Sequence, residues 1–318
     1  MKKNILTFCF IFFVGFIFCN SSSFSLTTDV AYYPKSENLP KTSDSWFSPT
    51  VGLYSGIEAR VVGEYSYKIP TPFGTNPLVS GNNVELIAAI ELSPVTFSSI
   101  FSVSFTPIAF LNFTASAKVG TGWEIFGISG MGEFVSPQEG FTVSKPFDNF
   151  FYEYKFSSLF QFDLGVVIPG DWNHVVMQAT YDVIYTGLTN SKTTEPWWWQ
   201  NGGENFTGWN YYSNIIIGYQ MPLILQTVGF QFEFSGYYDS LKLNPNYDKW
   251  NKDFCKICIN HVAILKFNEK HALTIQTSFA SRRGFSAKQG EAATKYDLEY
   301  TGREWYFNRI AFSYSINF

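Results

Sequence analysis

The sequence predicts an all-β fold, an antiparallel up-and-down transmembrane β-barrel of twelve strands, with ten or fourteen strands as the alternatives. Three observations predict it. Segments along the whole chain alternate between apolar and polar side chains, as strands with one apolar face do. The links between these segments alternate between short and long. Aromatic residues make up 19% of the chain and charged residues only 15%, against roughly 25% charged residues in a typical soluble domain.

The chain begins with a segment typical of a secretory signal peptide, which we assign to residues 1–23. Lys2 and Lys3 precede an apolar stretch from Ile5 to Cys19, and serines follow. The apolar stretch is shorter than the ~20 residues that a membrane-spanning helix needs. Export is therefore predicted, with residues 24–318 forming a single barrel domain.

The alternation predicts the strands in order along the exported part. In 84–92, for example, Val84 and Leu86 share one face, whereas Glu85 and Glu91 lie on the other. The predicted strands are 26–33, 52–67, 84–92, 97–105, 109–119, 160–168, 174–186, 210–221, 227–238, 258–267, 272–282 and 307–318.

The links predict the end of the barrel at which each turn lies. The short links are 93–94, 106–107, 169–173, 220–222 and 268–271, and the long ones are 120–153, 187–208, 239–256 and 286–300. From 106–107 onward, short and long links alternate strictly, as the inner turns and outer loops of membrane barrels do. Before that point, 93–94 is predicted to be a short outer hairpin and 68–82 a long inner loop. The 120–153 loop is long enough to fold into the mouth.

The leader, the strands along the exported chain and the closing strand together resemble bacterial outer-membrane β-barrel proteins of the porin-like kind, with no subfamily identified. The closing strand carries Ile310, Phe312, Tyr314 and Ile316 on one face and stops at Phe318. The resemblance implies a place in the outer membrane of a diderm bacterium, surrounded by outer-membrane lipid. It also implies that the barrel-insertion machinery recognises the C-terminal strand ending at Phe318.

A soluble β-sandwich is the alternative, because its strands alternate in the same way while their apolar faces turn toward each other. In a membrane barrel the apolar side chains face lipid and the polar ones face the lumen. Strand lengths near ~9–11 residues favour the barrel. Aromatic residues near strand ends, such as Tyr65, Tyr67, Tyr185 and Tyr238, favour it as well.

The polar faces predict a lumen lined by charged side chains of both signs. The predicted lumen-lining residues are Glu58, Arg60, Glu64, Glu85, Glu91, Lys118, Asp163, Asp182, Glu233, Arg282 and Arg309. Acidic residues outnumber basic ones among them, which predicts a mild preference for cations. A barrel of ~8 strands is filled by side chains and one of ~16 leaves a channel. Twelve strands therefore predict a narrow channel for small hydrophilic solutes, with a packed lumen as the alternative.

Four tryptophans, Trp197, Trp198, Trp199 and Trp209, lie in a predicted outer loop rich in Gly and Asn. Exposed aromatic rings bind ligands by their faces, and a ligand-binding loop would make the protein a surface adhesin or a structural barrel. The other interpretation places these rings in an aromatic girdle at the membrane interface.

The cysteines and histidines do not predict catalysis. Cys255 and Cys258 are predicted to form a local disulfide, because exported proteins meet an oxidising compartment. His174, His261 and His271 each lack the serine two positions later that outer-membrane lipid hydrolases carry. An enzyme site assembled from distant residues is the remaining alternative. We expect no cofactor and no metal, and the net charge of −4 argues against nucleic acid as a partner.

Overall fold

The computed structural model describes residues 22–34, 56–71, 74, 76, 78–136, 140–200, 202–238, 243, 245, 251–287 and 298–318. The predicted signal peptide lies outside the described residues as far as residue 21. Ser22 already begins the first strand. In the part of the chain that is described, no helix combines the length and the apolar character needed to cross a membrane.

The described residues form eighteen strands and one turn of 3₁₀ helix, Leu164–Val166. The strands are β1 (Ser22–Tyr33), β2 (Gly56–Pro70), β3 (Asn83–Leu92), β4 (Thr96–Ile108), β5 (Leu111–Gly122), β6 (Glu124–Ile125), β7 (Ile128–Ser129), β8 (Met131–Ser136), β9 (Gly140–Val143), β10 (Phe151–Asp163), β11 (His174–Leu188), β12 (Trp197–Trp199), β13 (Gly202–Asn205), β14 (Gly208–Gln220), β15 (Leu225–Tyr237), β16 (Lys256–Lys266), β17 (His271–Ala287) and β18 (Leu298–Asn317).

Twelve of these strands close into an antiparallel barrel in the order β1-β2-β3-β4-β5-β10-β11-β14-β15-β16-β17-β18. The barrel closes between the first and last strands, where Asp29 of β1 lies opposite Arg60 of β2 and Ser313 of β18. Closure pairs the backbone groups that an open sheet would leave exposed at its edges. The predicted fold and the predicted count of twelve strands are both confirmed.

The apolar side chains of the barrel strands point outward and the polar ones point inward. In β4, Phe101 is 54% exposed, whereas the next residue, Ser102, is 7% exposed. The same contrast holds in β3, where Leu92 is exposed and Glu91 is buried. A soluble sandwich would bury the large apolar residues instead. The outward apolar face therefore excludes the sandwich.

The links are sorted by length between the two ends of the barrel. We call the end that carries 123–150, 189–207 and 238–255 the long-loop end, and the opposite end the short-turn end. The hairpin between β3 and β4 is a short link at the long-loop end, and residues 71–82 are a long link at the short-turn end. Both of these exceptions to the alternation were predicted.

The turn after β4 lies further along the chain than 106–107, because β4 continues to Ile108 and β5 begins at Leu111. Pairing of the two strands shifts register between Phe105 and Ile108. Pro107 lies within this irregularity, where its missing N–H removes no regular ladder bond. The sequence shows a turn signal at Thr106 and Pro107, but the structure uses the proline in a bulge.

The predicted strand 160–168 is wrong in its position, because β10 spans Phe151–Asp163. The Asp163 Oδ1 atom accepts a hydrogen bond of 2.9 Å from the Gly165 N–H and caps the 3₁₀ turn that ends the strand. The Asp163 Oδ2 atom lies 2.7 Å from His174 Nδ1 on β11. Asp163 therefore lies at the short-turn rim, where it fixes a turn.

Two long loops fold inward and meet in the lumen at the long-loop end. Strands β8 and β9 of the first loop and β12 and β13 of the second form a four-stranded sheet in the order β13-β12-β8-β9. Trp197 lies opposite Glu133, and Trp199 lies opposite Met131. We call these four strands the mouth sheet. The first loop was expected to enter the mouth, and the second joins it there.

Candidate solute pathway in the barrel lumen

A chain of ionic contacts around Glu91 crosses the inner wall of the barrel. Glu91 is 4% exposed, and both of its carboxylate oxygens accept hydrogen bonds. Arg60 Nη1 donates to Glu91 Oε2 over 3.3 Å, and Lys118 Nζ donates to Glu91 Oε1 over 3.2 Å. Arg60 Nε also donates to Asp29 Oδ2 over 2.7 Å. Four barrel strands, β1, β2, β3 and β5, thus contribute side chains to one network, which passes across β4 between Glu91 and Lys118.

The mouth sheet is attached to this network by Gln200, the residue that follows β12. Its Nε2 donates to Glu91 Oε1 over 2.9 Å and to Thr96 Oγ1 over 3.3 Å. Its backbone N–H donates to the Gly130 carbonyl over 2.8 Å. Gln200 has a φ of 51°, a left-handed conformation that few side chains adopt. These contacts hold the end of β12 against the barrel wall.

The tryptophans of β12 pack the mouth sheet against the wall. The Trp199 ring stacks on Phe151 with centroids 4.5 Å apart and an interplanar angle of 15°. Trp197 lies 5.8 Å from the same phenylalanine and is 1% exposed. Gly120 makes room for Trp199, because a Cβ at that position would lie 2.6 Å from the indole ring. The wall and the sheet therefore fit closely at this point.

The mouth sheet divides the lumen into two chambers. The inner chamber has a volume of about 1020 Å³ and is lined by Thr27, Glu58, Arg60, Gln231, Gln276 and Arg309 among others. The mouth chamber has a volume of about 510 Å³ and is lined by Lys118, Glu153, Trp197, Lys256, Arg283 and Tyr306 among others. Trp199 and Gln200 line both chambers. The boundary between the chambers therefore consists in part of these two side chains.

The remaining predicted lumen residues are distributed along the inner wall. Arg309 Nη1 donates to the Tyr33 hydroxyl over 3.1 Å, and the Tyr212 hydroxyl donates to Glu233 Oε1 over 2.9 Å. Asp182 is buried and accepts a hydrogen bond from Ser157.

Charged pairs lie nearer the two ends of the wall. Glu85 lies 3.8 Å from Lys68 near the short-turn end, whereas Glu64 lies near the middle of β2. Arg282 Nε donates to Glu304 Oε2 over 2.8 Å near the mouth. The eleven predicted residues are thus not brought together in one charged ring.

The predicted roles of the tryptophans are corrected. Trp197, Trp198 and Trp199 are buried, so they neither offer exposed rings to a ligand nor stand in a girdle. Trp209 belongs to β14, not to the loop, and is 47% exposed on the outward face. Its ring lies 5.1 Å from that of Tyr185, at the long-loop end of the barrel wall. This is the position that an interface girdle requires.

The predicted disulfide is wrong, because Cys255 and Cys258 are both free thiols. Cys258 lies within β16 opposite Glu233, and Cys255 directly precedes that strand. Residues three apart in extended chain are roughly 10 Å apart and point to opposite faces. A disulfide needs Cα atoms within about 7 Å. The extended conformation therefore prevents the bond.

The histidines are spread over the barrel. His174 contacts Asp163 at the short-turn rim, and His271 Nδ1 lies 2.8 Å from the Tyr314 hydroxyl. His261 Nδ1 lies 3.4 Å from Thr277 Oγ1 on the outward face. Within the described ranges, no three His, Cys, Asp or Glu side chains are grouped to hold a metal ion.

Two groups of site residues were not predicted from the sequence. Gln200 lies in a loop, where no periodicity shows which way a side chain points. Lys256 and Arg283 are adjacent to strand ends or to a register shift, where the two-residue period is interrupted. Tyr33, by contrast, lies four residues after Asp29 on β1 and therefore faces inward as Asp29 does. The alternation in the sequence could have predicted this direction.

No protein-family model and no curated protein matches the chain. Solved structures similar to it include the KdgM porin, with 7% identity and a TM-score of 0.40 over 92% of this chain and 98% of that one. The β domain of the Bordetella autotransporter BrkA has 10% identity and a TM-score of 0.43, covering 94% and 100%. OmpF of Salmonella typhi has 6% identity and a TM-score of 0.34, covering 93% and 97%. The closed twelve-stranded antiparallel barrel of this chain is the fold that the resemblance in the sequence predicted, and no subfamily is identified.

Proposed function

We propose that this protein is an outer-membrane barrel that passes small hydrophilic solutes through a lumen narrowed by the mouth sheet. One observation carries the proposal. The lumen is neither open nor packed, but contains two chambers with Trp199 and Gln200 at their boundary. A twelve-stranded barrel has room for such a restricted path. Solutes small enough to pass a single pair of side chains are the ones that it would admit.

The outward apolar face supports a membrane location. Large apolar residues such as Phe101, Phe156 and Ile217 are exposed on the barrel wall, and only lipid would cover them without cost. Together with the predicted leader, this supports the outer membrane of a diderm bacterium. The proposal includes outer-membrane lipid as the surrounding partner. It also includes recognition by the barrel-insertion machinery of the last strand, in which the Phe318 N–H donates to the Phe24 carbonyl over 2.9 Å.

The proposal is non-enzymatic. None of the three histidines, all of which the structure describes, lines either chamber. The Thr277 hydroxyl beside His261 is on the outward face, away from the two chambers. The adhesin alternative depended on exposed tryptophans in an outer loop, and Trp197, Trp198 and Trp199 are buried. We therefore propose one function.

Single-channel recording in planar bilayers tests the proposal. The refolded native protein is expected to give discrete, small open levels. A Gln200→Gly variant should give a larger unitary conductance, because it removes the contacts to Glu91 and Thr96 while glycine tolerates the positive φ. The matched control is Phe147→Gly, which replaces another residue of positive φ (64°) in the other long loop; its ring is 62% exposed and lines neither chamber, so the conductance should stay native. Silence of correctly folded native protein would overturn the channel.

A further inference from the structure

Phe126 forms the tip of the β6–β7 hairpin in a conformation that phenylalanine rarely adopts. Ile125 pairs with Ile128, so Phe126 and Gly127 form the whole turn, with φ values of 52° and 77°. Two-residue hairpin turns in which both φ values are positive favour Asn-Gly, and a bulky residue with a positive φ is an outlier. Asparagine would therefore suit this turn better than phenylalanine does.

The Phe126 ring is also exposed in a place where an apolar group is unfavourable. It is 98% exposed, and it lines the inner chamber together with Ile125 and Ile128. Contact between water and an apolar ring costs free energy that burial would recover. An unfavourable backbone conformation and an exposed ring thus coincide at one residue, and such outliers cluster at functional sites. Because neighbouring side chains do not cover the ring, its faces are open to a ligand.

Three hydroxyl groups on neighbouring strands line the same chamber. They belong to Thr27 of β1, Thr274 of β17 and Ser313 of β18. Thr274 lies opposite Ser313, and Thr27 lies two residues before Asp29, which is opposite Ser313 on its other side. Among the residues that the structure describes, none of the three hydroxyls has a hydrogen-bond partner. Each hydroxyl can therefore donate to a ligand hydroxyl or accept from one.

The charged groups of the inner chamber are balanced and engaged with each other or with the wall. Its described lining contains two acidic residues, Asp29 and Glu58, and two basic ones, Arg60 and Arg309. Arg60 Nε donates to Asp29 Oδ2 over 2.7 Å, and Arg309 Nη1 donates to the Tyr33 hydroxyl over 3.1 Å. This lining gives no reason for an ionic ligand, so the ligand that fits is uncharged.

We infer that the inner chamber binds uncharged sugars in their pyranose form. A pyranose has a flat C–H face that packs on an open aromatic ring, here Phe126, and a rim of hydroxyls that bonds with the hydroxyls of the wall. The chamber volume of about 1020 Å³ is close to the upper end of the range of about 300–1,000 Å³ for small-molecule sites and accommodates one or two sugar rings. This inference rests on the proposed channel function and names a class of solute for it.

Single-channel recording with two uncharged probes tests the inference. Methyl α-glucoside has a pyranose ring, whereas mannitol is an open-chain polyol of similar mass. Added on both sides of the bilayer, methyl α-glucoside should reduce the open-channel current half-maximally at a concentration roughly three- to tenfold lower than mannitol, because only the ring packs flat on Phe126. Equal potency of the two probes would overturn the inference.

The variant Phe126→Asn should abolish the preference for the ring, because it removes the phenyl group while asparagine suits the positive φ. The matched control is Phe147→Asn, which removes another exposed phenylalanine of positive φ (64°) from the same long loop. Phe147 lines neither chamber, so this variant should keep the native preference. Each variant is first shown to keep the heat-stable folded form on a gel. A folded Phe126→Asn protein with the native preference would contradict the inference.

The hydroxyls of the wall are tested by Thr274→Val combined with Ser313→Ala. These changes remove two hydrogen-bonding groups with little change in size. Both probes bind through hydroxyls, so the half-maximal concentration of each should rise roughly fivefold. A native response of the folded double variant to both probes would likewise overturn the inference.

Saturation-transfer NMR separates failure of the inference from failure of the channel, because it needs no current. The full exported chain in detergent should transfer saturation to the ring protons of methyl α-glucoside, and Phe126→Asn should lose most of that transfer. Channels that conduct but show neither a preference nor transfer would refute the sugar site and leave the channel intact. Transfer that depends on Phe126 in a barrel without current would refute the channel and support the site.

Discussion

At the scale of single residues, Glu91 shows how a charge is kept inside the barrel. A buried carboxylate is costly unless it is paired and hydrogen-bonded. Glu91 has three donors, from Arg60, Lys118 and Gln200, on its two oxygens. Arg60 is about half exposed, so water screens part of its attraction. Lys118 and Gln200 are the partners that matter most for stability.

We expect Glu91→Gln to destabilise the barrel by about 1–3 kcal/mol, because the amide keeps the shape but leaves the Lys118 ammonium without its anionic partner. The measurement is equilibrium unfolding in urea after refolding into lipid vesicles. Glu85→Gln is the control, since its pair with Lys68 is 3.8 Å long and exposed on the lysine side. The control should change stability by no more than about 1 kcal/mol. Equal losses for the two variants would contradict the role of Glu91.

The sequence predicts the direction in which a side chain points more reliably than it predicts the contacts of that side chain. Two-residue periodicity placed Glu58, Glu91 and Arg309 on the inward face. A shift of one residue would turn all apolar side chains of the strand away from the lipid, so the direction of each side chain is fixed. It could not pair Glu91 with Gln200, since these residues are far apart in the sequence and Gln200 lies in a loop. The spacing of Cys255 and Cys258 likewise suggested a bond that an extended backbone does not allow.

At the scale of elements, the mouth sheet is positioned by glycines that let backbones approach closely. A Cβ at Gly130 would lie 2.0 Å from the Val95 carbonyl oxygen, and one at Gly122 would lie 2.7 Å from Met131 Cβ. Together with Gly120, these positions leave space for β8 and β12 against the wall. A side chain at any of them would push the sheet away from the barrel.

Gly120→Ala is expected to displace Trp199, because the new methyl group would lie 2.6 Å from the indole ring and 3.0 Å from the Phe97 carbonyl. We expect a loss of about 1–3 kcal/mol in the free energy of unfolding and a red shift of tryptophan emission. The control is Gly81→Ala, where nothing lies within 4 Å of the added Cβ. A native emission spectrum in folded Gly120→Ala protein would show that the wall and the mouth sheet do not fit as described.

Elements differ in how well the sequence predicts them. Long strands with one lipid-facing side were recognised because their alternation extends over several residue pairs. The strands β12 and β13 are short, and three successive tryptophans have no period. The end of β10 depends on the cap by Asp163, a local hydrogen bond that competes with an apolar run continuing to Ile168. Capping hydrogen bonds and bulges determine where a strand ends, which the periodicity of the sequence does not show.

At the scale of the whole molecule, closure of the barrel and the outward direction of its apolar side chains are linked. Twelve strands close only if β1 pairs with both β2 and β18, and this pairing fixes which residues face outward on every strand. The strand count was predictable from the links, because antiparallel neighbours must alternate between the two ends. Division of the lumen was not predictable, because it depends on how two loops pack together.

The outward apolar face leads to a prediction about the cost of a charge at the middle of the membrane. Phe101→Arg places a charge on the outward face near the middle of β4, between Ala88 and Ala117 on the neighbouring strands. A charged residue on the lipid face at mid-depth costs about 2–4 kcal/mol. The control is Phe126→Arg, because Phe126 is 98% exposed at the tip of the β6–β7 hairpin and lines the water-accessible inner chamber. The control should change stability by about 0.5 kcal/mol or less.

Unfolding in vesicles whose acyl chains differ in length provides the measurement. The penalty for Phe101→Arg should decrease in thinner bilayers, since the charge then lies nearer to the interface. The free energy of the control should not depend on thickness in this way. Equal losses in the free energy of unfolding for Phe101→Arg and Phe126→Arg in every lipid would mean that the outward face does not contact acyl chains. The proposed pathway through an enclosed lumen would then have no physical basis.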